Sequence, residues 1–271
     1  MPSLADNPGP PPAGGPYPVP ERHARRTLLI DFGGTLFRPL GGQQWATAAA
    51  HRSGTDLSAH DRACLANLLD TRFHHVRAPG RDLSAAAHRR SMLPALESLV
   101  HDKALAASLY DFQFTAEFWQ PRCGARDLLR AASERGMPVI VVSNVPWDIR
   151  PIFTRAGLAD HVRGFALSCE VGAEKPDKHI FQHGLSLARC APAEAVFVGD
   201  DPVTDSGALH LGIPVILIPP AHGDTDQALH TIARWLLQAS QPTGTNETRK
   251  FAGSQPATVE RRSTRRVISK A

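Results

Sequence analysis

Four short apolar runs divide the chain, and each ends in polar loop chemistry. Thr27-Leu28-Leu29-Ile30 leads into Asp31 and a Gly-Gly turn, Pro138-Val139-Ile140-Val141-Val142 ends in Ser143-Asn144, Ala195-Val196-Phe197-Val198 ends in Gly199-Asp200-Asp201, and Pro214-Val215-Ile216-Leu217-Ile218 closes the series. Uninterrupted apolar runs of this length predict strands buried on both faces, as in a parallel sheet. Gly164 to Ser168 reads as a weaker fifth strand between the second and third. Helical periodicity fills the intervals at Ala125 to Arg135, Trp147 to Ala156, Asp177 to Leu187 and Thr204 to His210, with Asp224 to Gln238 as a last amphipathic helix. Strand-helix alternation predicts an α/β fold, a parallel sheet with helices on both faces.

The interval between the first and second runs breaks this rhythm. Residues 40–119 hold no convincing β run but show apolar residues at 3.6-type spacing over Trp45 to Arg52, Ser58 to Val76, Leu83 to Val100 and Lys103 to Trp119. Asp56 or Ser58 and Asp82 or Ser84 are available as N-caps. About four helices are expected there, forming a cap over the strand ends with a cleft beneath it. The core is then residues 27–39 and 120–239. Residues 1–26 form a Pro-rich leader, with Pro10-Pro11-Pro12 and Gly14-Gly15-Pro16, that cannot bury enough apolar surface to offset its ordering entropy. Residues 240–271 are a basic, Ser/Thr-rich tail expected to be disordered.

Charge distribution argues against one class of function. The net charge is +4, but the tail carries seven basic and two acidic residues, so the remainder lies near −1. The ordered part therefore offers no basic footprint for nucleic acid. No stretch approaches the roughly 20 apolar residues needed to cross a bilayer, and no signal peptide is recognisable, so no membrane partner and a cytoplasmic protein are expected. The four cysteines, Cys64, Cys123, Cys169 and Cys190, are far apart and read as reduced thiols.

Acids at the carboxyl ends of separate parallel strands converge, which brings Asp31 towards Asp200, Asp201 and Asp205. Converging carboxylates repel unless a hard cation sits among them, and Mg²⁺ prefers a few carboxylate oxygens together with water and substrate phosphate. Lys175, in Glu174-Lys175-Pro176-Asp177, lies between the second and third strand ends, where it can offset charge on a nucleophile and on a transferring phosphoryl group. Ser143 and the amides around Asn144 offer donors to the same oxygens. Any one of these residues also has an ordinary structural role, such as a turn or a helix cap.

In this order and spacing the four segments resemble the haloacid dehalogenase superfamily. Asp31-Phe32-Gly33-Gly34-Thr35 matches its Asp-x-Asp-x-Thr motif with one departure, Ser143 and Lys175 match the second and third motifs, and Gly199-Asp200 through Asp205 matches the fourth. The resemblance implies a Rossmann-like sheet with an inserted α-helical C1-type cap. It also implies an aspartyl-phosphate on Asp31, with Mg²⁺ held by Asp31, the carbonyl of Gly33 and Asp200, and with Asp201 or Asp205 supporting. Thr35, Ser143, Asn144 and Lys175 would bind the phosphoryl group of a small phosphorylated metabolite. The departure is Gly33, which replaces the acid that protonates the leaving group. Candidate substitutes in the insertion are His51, His60, His74, His75, His88 and His101, and Arg72, Arg77 and Arg81 there could attract anions. Two other readings stay open: an inactive binding scaffold, and carbon chemistry such as dehalogenation or phosphonate cleavage, for which Lys103 is the sole insertion lysine.

Overall fold

The computed structural model describes residues 27–72, 78–219 and 227–238. The Pro-rich leader, the basic tail, the Arg72 side chain, His74, His75 and Arg77 lie outside what it describes.

In chain order the strands are β1 (Thr27–Ile30), β2 (Phe37–Pro39), β3 (Trp119–Pro121), β4 (Val139–Ser143), β5 (Gly164–Leu167), β6 (Ala195–Gly199) and β7 (Val215–Leu217). Five of them make one sheet in the order β5-β4-β1-β6-β7, every pairing parallel, with β1 at its centre. All four β1 residues are buried, which explains why the strand reads as a solid apolar run. The two-residue period still sorts its side chains. Leu28 and Ile30 join Val139, Val141, Val196 and Val198 in one core, whereas Leu29 joins Ile140, Val142 and Phe197 in the other. The first core is closed by α5 (Ala125–Glu134), α6 (Arg150–Arg155) and α9 (Ala228–Gln238), the second by α8 (Lys178–Ala188). Truncating a residue such as Leu29 to Ala is expected to cost about 2–5 kcal/mol.

The inserted segment has a core of its own. Helices α1 (Gly42–Ser53), α2 (Ala59–Arg72), α3 (Ala85–Glu97) and α4 (Lys103–Phe112) pack around Trp45, Leu69, Met92, Leu96 and Leu109, and Trp45 Nε1 donates to the Leu109 carbonyl at 3.0 Å. Helix α1 meets α2 closely enough that a Cβ on Gly42 would collide with the Ala66 backbone. Ser58 and Ser84 are the caps chosen from the expected pairs: Ser58 Oγ accepts from the Asp61 amide at 3.1 Å and Ser84 Oγ from the Ala87 amide at 3.2 Å.

Four differences from the sequence expectation bear on the site. The third expected helix loses its start to a 3₁₀ turn at Arg81–Leu83, because Ser84 caps α3 from an extended conformation. The fourth stops at Phe112, and Trp119 enters β3, paired antiparallel with Pro39 of β2. That partner lies some 80 residues away and leaves no local signature. The helix expected from Trp147 begins at Arg150 instead. Asp148 Oδ1 accepts the Arg150 amide at 3.0 Å and Pro151 sits in the first turn, so Trp147 stays in the loop. Ser168, read as the end of a strand, starts the short helix α7 (Ser168–Val171). Among the described residues no helix is long and apolar enough to cross a membrane, and all four cysteines are free thiols.

Candidate active site

Asp31 follows β1, and its amide donates to the Val198 carbonyl of β6 at 2.9 Å, which fixes the residue at the carboxyl end of the central strand. The chain then turns sharply, with Leu36 and Phe37 amides both donating to the Phe32 carbonyl at 2.9 Å. Gly34 makes the turn possible. Its φ is 82°, and a Cβ there would overlap the Asp200 carboxylate. The buried Arg122 guanidinium secures the turn from behind, donating to the Gly34 carbonyl at 2.6 Å and the Pro219 carbonyl at 2.7 Å. Sequence reading missed Arg122, since one arginine outside any motif carries no local signal.

Lys175 reaches the centre from the loop between α7 and α8. Asn144 holds its backbone on both sides, the side-chain amide donating to the Lys175 carbonyl at 3.0 Å and Oδ1 accepting the Lys175 amide at 2.7 Å. Lys175 Nζ then lies 2.8 Å from Asp31 Oδ1 and 2.6 Å from Asp205 Oδ1. Asp205 is wholly buried and also accepts the Asp201 amide at 2.9 Å, so both of its oxygens are occupied. Thr35, equally buried, donates to Asp200 Oδ1 at 2.9 Å.

Burial dominates the electrostatics. It raises the Asp31 carboxyl to about 7, opposed by Lys175 and reinforced by Asp205 and Asp200. The Asp200 carboxyl is also raised, again chiefly by burial, with the Thr35 hydrogen bond opposing. Burial works to deprotonate Lys175, but Asp31 and Asp205 outweigh it and hold the ammonium above its ordinary value. Asp31, Asp200 and Asp205 each offer an oxygen, and these atoms lie within 4.8 Å of one another. A hard divalent cation suits that donor set and would return the raised carboxyls to their charged form.

Asp31, Gly33, Ser143, Asn144, Lys175 and Asp200 line one cavity of about 1100 Å³ between the sheet and the insertion. Thr35 and Asp205 stand behind that lining. Of the insertion's described histidines only His88 lines the cavity, while His51, His60 and His101 are exposed elsewhere. His88 is 5% exposed, its Nδ1 lies 3.1 Å from the Tyr110 hydroxyl, and burial lowers its pKa to about 4, with Asp82 opposing and Arg81 assisting. Arg81 also lines the cavity, but its fork is bound to Asp82 at 2.8 and 2.7 Å, so it does not present the free positive charge expected of it. Lys103, the Schiff-base candidate, is an exposed residue at the start of α4 and is absent from the lining.

The sequence also concealed how the insertion is fastened and what faces the cavity. Glu174 accepts the Gly80 amide at 2.7 Å and the Asp82 amide at 2.5 Å, and Ser168 Oγ donates to the Asp82 carbonyl at 2.7 Å. The 3₁₀ turn is thereby clasped to the loop that carries Lys175. Trp119 and Trp147 both line the cavity, although the helical period of the sequence places each in a helix.

The family described as haloacid dehalogenase-like hydrolase matches residues 25–211. The chain is 37% identical over 102 residues to human haloacid dehalogenase-like hydrolase domain-containing protein 3, covering 37% of this chain and 40% of that protein. It is 36% identical over 96 residues to phosphoserine phosphatase of Thermus thermophilus, covering 35% of this chain and 39% of that one. The chain thus matches about two fifths of the length of these curated relatives. Among solved structures, an HAD phosphatase from Thermococcus onnurineus is similar at a TM-score of 0.52 and 19% identity, over 78% of this chain and 97% of that chain. That likeness is one of fold.

Proposed function

Because the chain belongs to the haloacid dehalogenase-like hydrolases, we propose that it is a magnesium-dependent phosphohydrolase acting on a small phosphorylated metabolite, with Asp31 as nucleophile and the insertion as its cap. One observation carries the reading: the Asp31 carboxylate lines the cavity while held 2.8 Å from Lys175, with Asp200 and Asp205 oxygens within 4.8 Å. Asp31, Asp200 and the Gly33 carbonyl would hold Mg²⁺, with Asp205 supporting from behind. When bound, the ion supplies positive charge opposite the phosphoryl oxygens.

The residues divide the remaining work. An Asp31 oxygen attacks phosphorus, the bond from phosphorus to the leaving oxygen breaks with its electron pair going to that oxygen, and an aspartyl-phosphate remains. Water then attacks that phosphorus, releasing phosphate and restoring Asp31. Lys175 opposes the burial that raises the Asp31 carboxyl and, with Ser143, would donate to the transferring phosphoryl oxygens. Asp205 and Asn144 position Lys175, and Thr35 positions Asp200. No group at residue 33 can protonate the leaving oxygen. General acid assistance is typically worth about 10²–10⁴ in rate, so substrates with a good leaving group are favoured. Lys103, exposed and away from the cavity, gives phosphonate cleavage no Schiff-base lysine.

The test is turnover of 4-nitrophenyl phosphate and glycerol 3-phosphate with and without Mg²⁺, in the natural sequence and in Asp31→Asn. Magnesium-dependent turnover of the aryl ester, lost in Asp31→Asn, is expected. Absence of any turnover together with absence of metal binding would overturn this reading in favour of a binding scaffold.

A further inference from the structure

The walls of the cavity say what kind of leaving group it accommodates. Trp119 stands beside the reacting centre: a Cβ on Gly33 would lie 3.7 and 3.8 Å from Cζ3 and Cη2 of its indole. The ring is fixed by Nε1 donating to the Gln113 carbonyl at 2.9 Å and by Phe32, whose ring centroid is 4.7 Å away. Trp147 continues the wall, 6.3 Å from Trp119 and 6.0 Å from His88 of the insertion. An aromatic surface therefore runs from the residue two places after the nucleophile up to the inserted helices.

Three polar side chains lining the same cavity are committed to protein partners, whereas the buried Trp147 Nε1 has none among the described residues. Arg81 is forked onto Asp82, Glu174 onto two backbone amides, and His88 onto Tyr110. Against these three side chains a hydroxyl-rich sugar or an amino acid would leave polar groups unpaired at a cost. A flat ring would be desolvated against two tryptophans.

This surface and Gly33 point the same way. With no acid at residue 33, an oxygen that can depart as an anion is favoured. A phenol such as that of tyrosine ionises near pH ~10, whereas an alkanol resembles water, whose pKa is about 16. We infer that the cavity takes the phosphate ester of a phenol, its ring against Trp119 and Trp147 and its phosphorus at Asp31. The inference rests on the phosphohydrolase reading above. In the reaction the bond between phosphorus and the phenolic oxygen breaks with the electron pair on oxygen, the phenolate takes a proton from solvent, and water hydrolyses the aspartyl-phosphate, so that ester and water give phenol and inorganic phosphate.

Two measurements test it separately from that reading. Calorimetric titration of the natural chain with Mg²⁺ compares phenylphosphonate with methylphosphonate, neither of which can be hydrolysed. Base–aromatic stacking is typically worth about a tenfold gain in affinity or more, so at least about tenfold tighter binding of the phenyl compound is expected, and equal affinities overturn the inference. Turnover then compares phenyl phosphate with acetyl phosphate, whose acetate leaves more readily but has no ring. A higher kcat/KM for phenyl phosphate, with the preference falling at least about tenfold in Trp147→Leu, supports the inference. Trp119→Phe keeps a ring in place and should lower the preference less than Trp147→Leu. Turnover of both substrates without preference, or a preference untouched in Trp147→Leu, refutes it. Tight binding of phenylphosphonate with no turnover of either substrate supports the aromatic site and refutes the hydrolase reading alone.

Discussion

Restoring an acid at residue 33 is the most direct probe of this site. Gly33 is absent from the glycines with positive φ, so an L-residue can occupy its backbone conformation. Its new Cβ would meet only the Trp119 ring, at 3.7 and 3.8 Å, which is ordinary van der Waals contact. Gly33→Asp should therefore fold with little penalty and place a carboxyl at the cavity wall two residues from Asp31. If that carboxyl protonates the departing oxygen, glycerol 3-phosphate turnover should rise by about 10²–10⁴, a barrier lowered by about 3–5 kcal/mol. 4-Nitrophenyl phosphate needs no proton from the enzyme and should change far less. Release of inorganic phosphate, measured for both esters at saturating Mg²⁺, gives the comparison. A folded variant that still hydrolyses the aryl ester but gains nothing on the alkyl ester would refute the reasoning that Gly33 limits this site.

Three further outcomes follow from the charges. Lys175→Met leaves Asp31 and Asp205 buried without their cation, so the variant should lose turnover and about 3–5 kcal/mol of stability; urea unfolding at pH 7 measures this, and an unchanged midpoint would contradict the pairing. Mg²⁺ at about 100 times its Kd should stabilise the protein by about 2.7 kcal/mol, an increment that Asp200→Asn removes; thermal melts with magnesium and with EDTA that coincide would count against the metal site. His88 links stability to pH. Its folded pKa of about 4 lies below the ordinary 6.5, so between these values the unfolded chain binds a proton that the folded chain does not. Its contribution is complete above pH 6.5 and declines as pH falls to about 4, by at most about 3 kcal/mol. Urea midpoints at pH 7 and pH 5 should differ less in His88→Phe than in the natural chain, and an equal difference would show that His88 is not the group responsible.

What could be read without coordinates was whatever is written locally. Solid apolar runs such as Leu28 to Ile30, alternating with helical stretches, announce a doubly covered parallel sheet. A strand end carrying Asp31, Ser143 or Asp200 announces the edge where loops converge. Charge bookkeeping located the basic excess in the tail, and the helical period marked out the insertion. The same local logic misplaced Trp119 and Trp147. Their strand and loop positions depend on β2, some 80 residues away, and on a capping contact from Asp148.

The sequence by itself thus determined the α/β sheet, the helical insertion and the convergence of acids from separate strand ends, since these follow from periodicity and from the direction of parallel strands; that Asp205 rather than Asp201 groups with Asp31 and Asp200 was decided by the tertiary structure. Only the tertiary structure decided what each group is free to do. Thr35 is committed to Asp200, Asp205 to Lys175, Asn144 to the Lys175 backbone and Arg81 to Asp82. Hydrogen-bond partners are set by three-dimensional proximity, which residue spacing does not encode. The space beside Gly33 is likewise bounded by an indole from the far end of the insertion, brought there by long-range strand pairing.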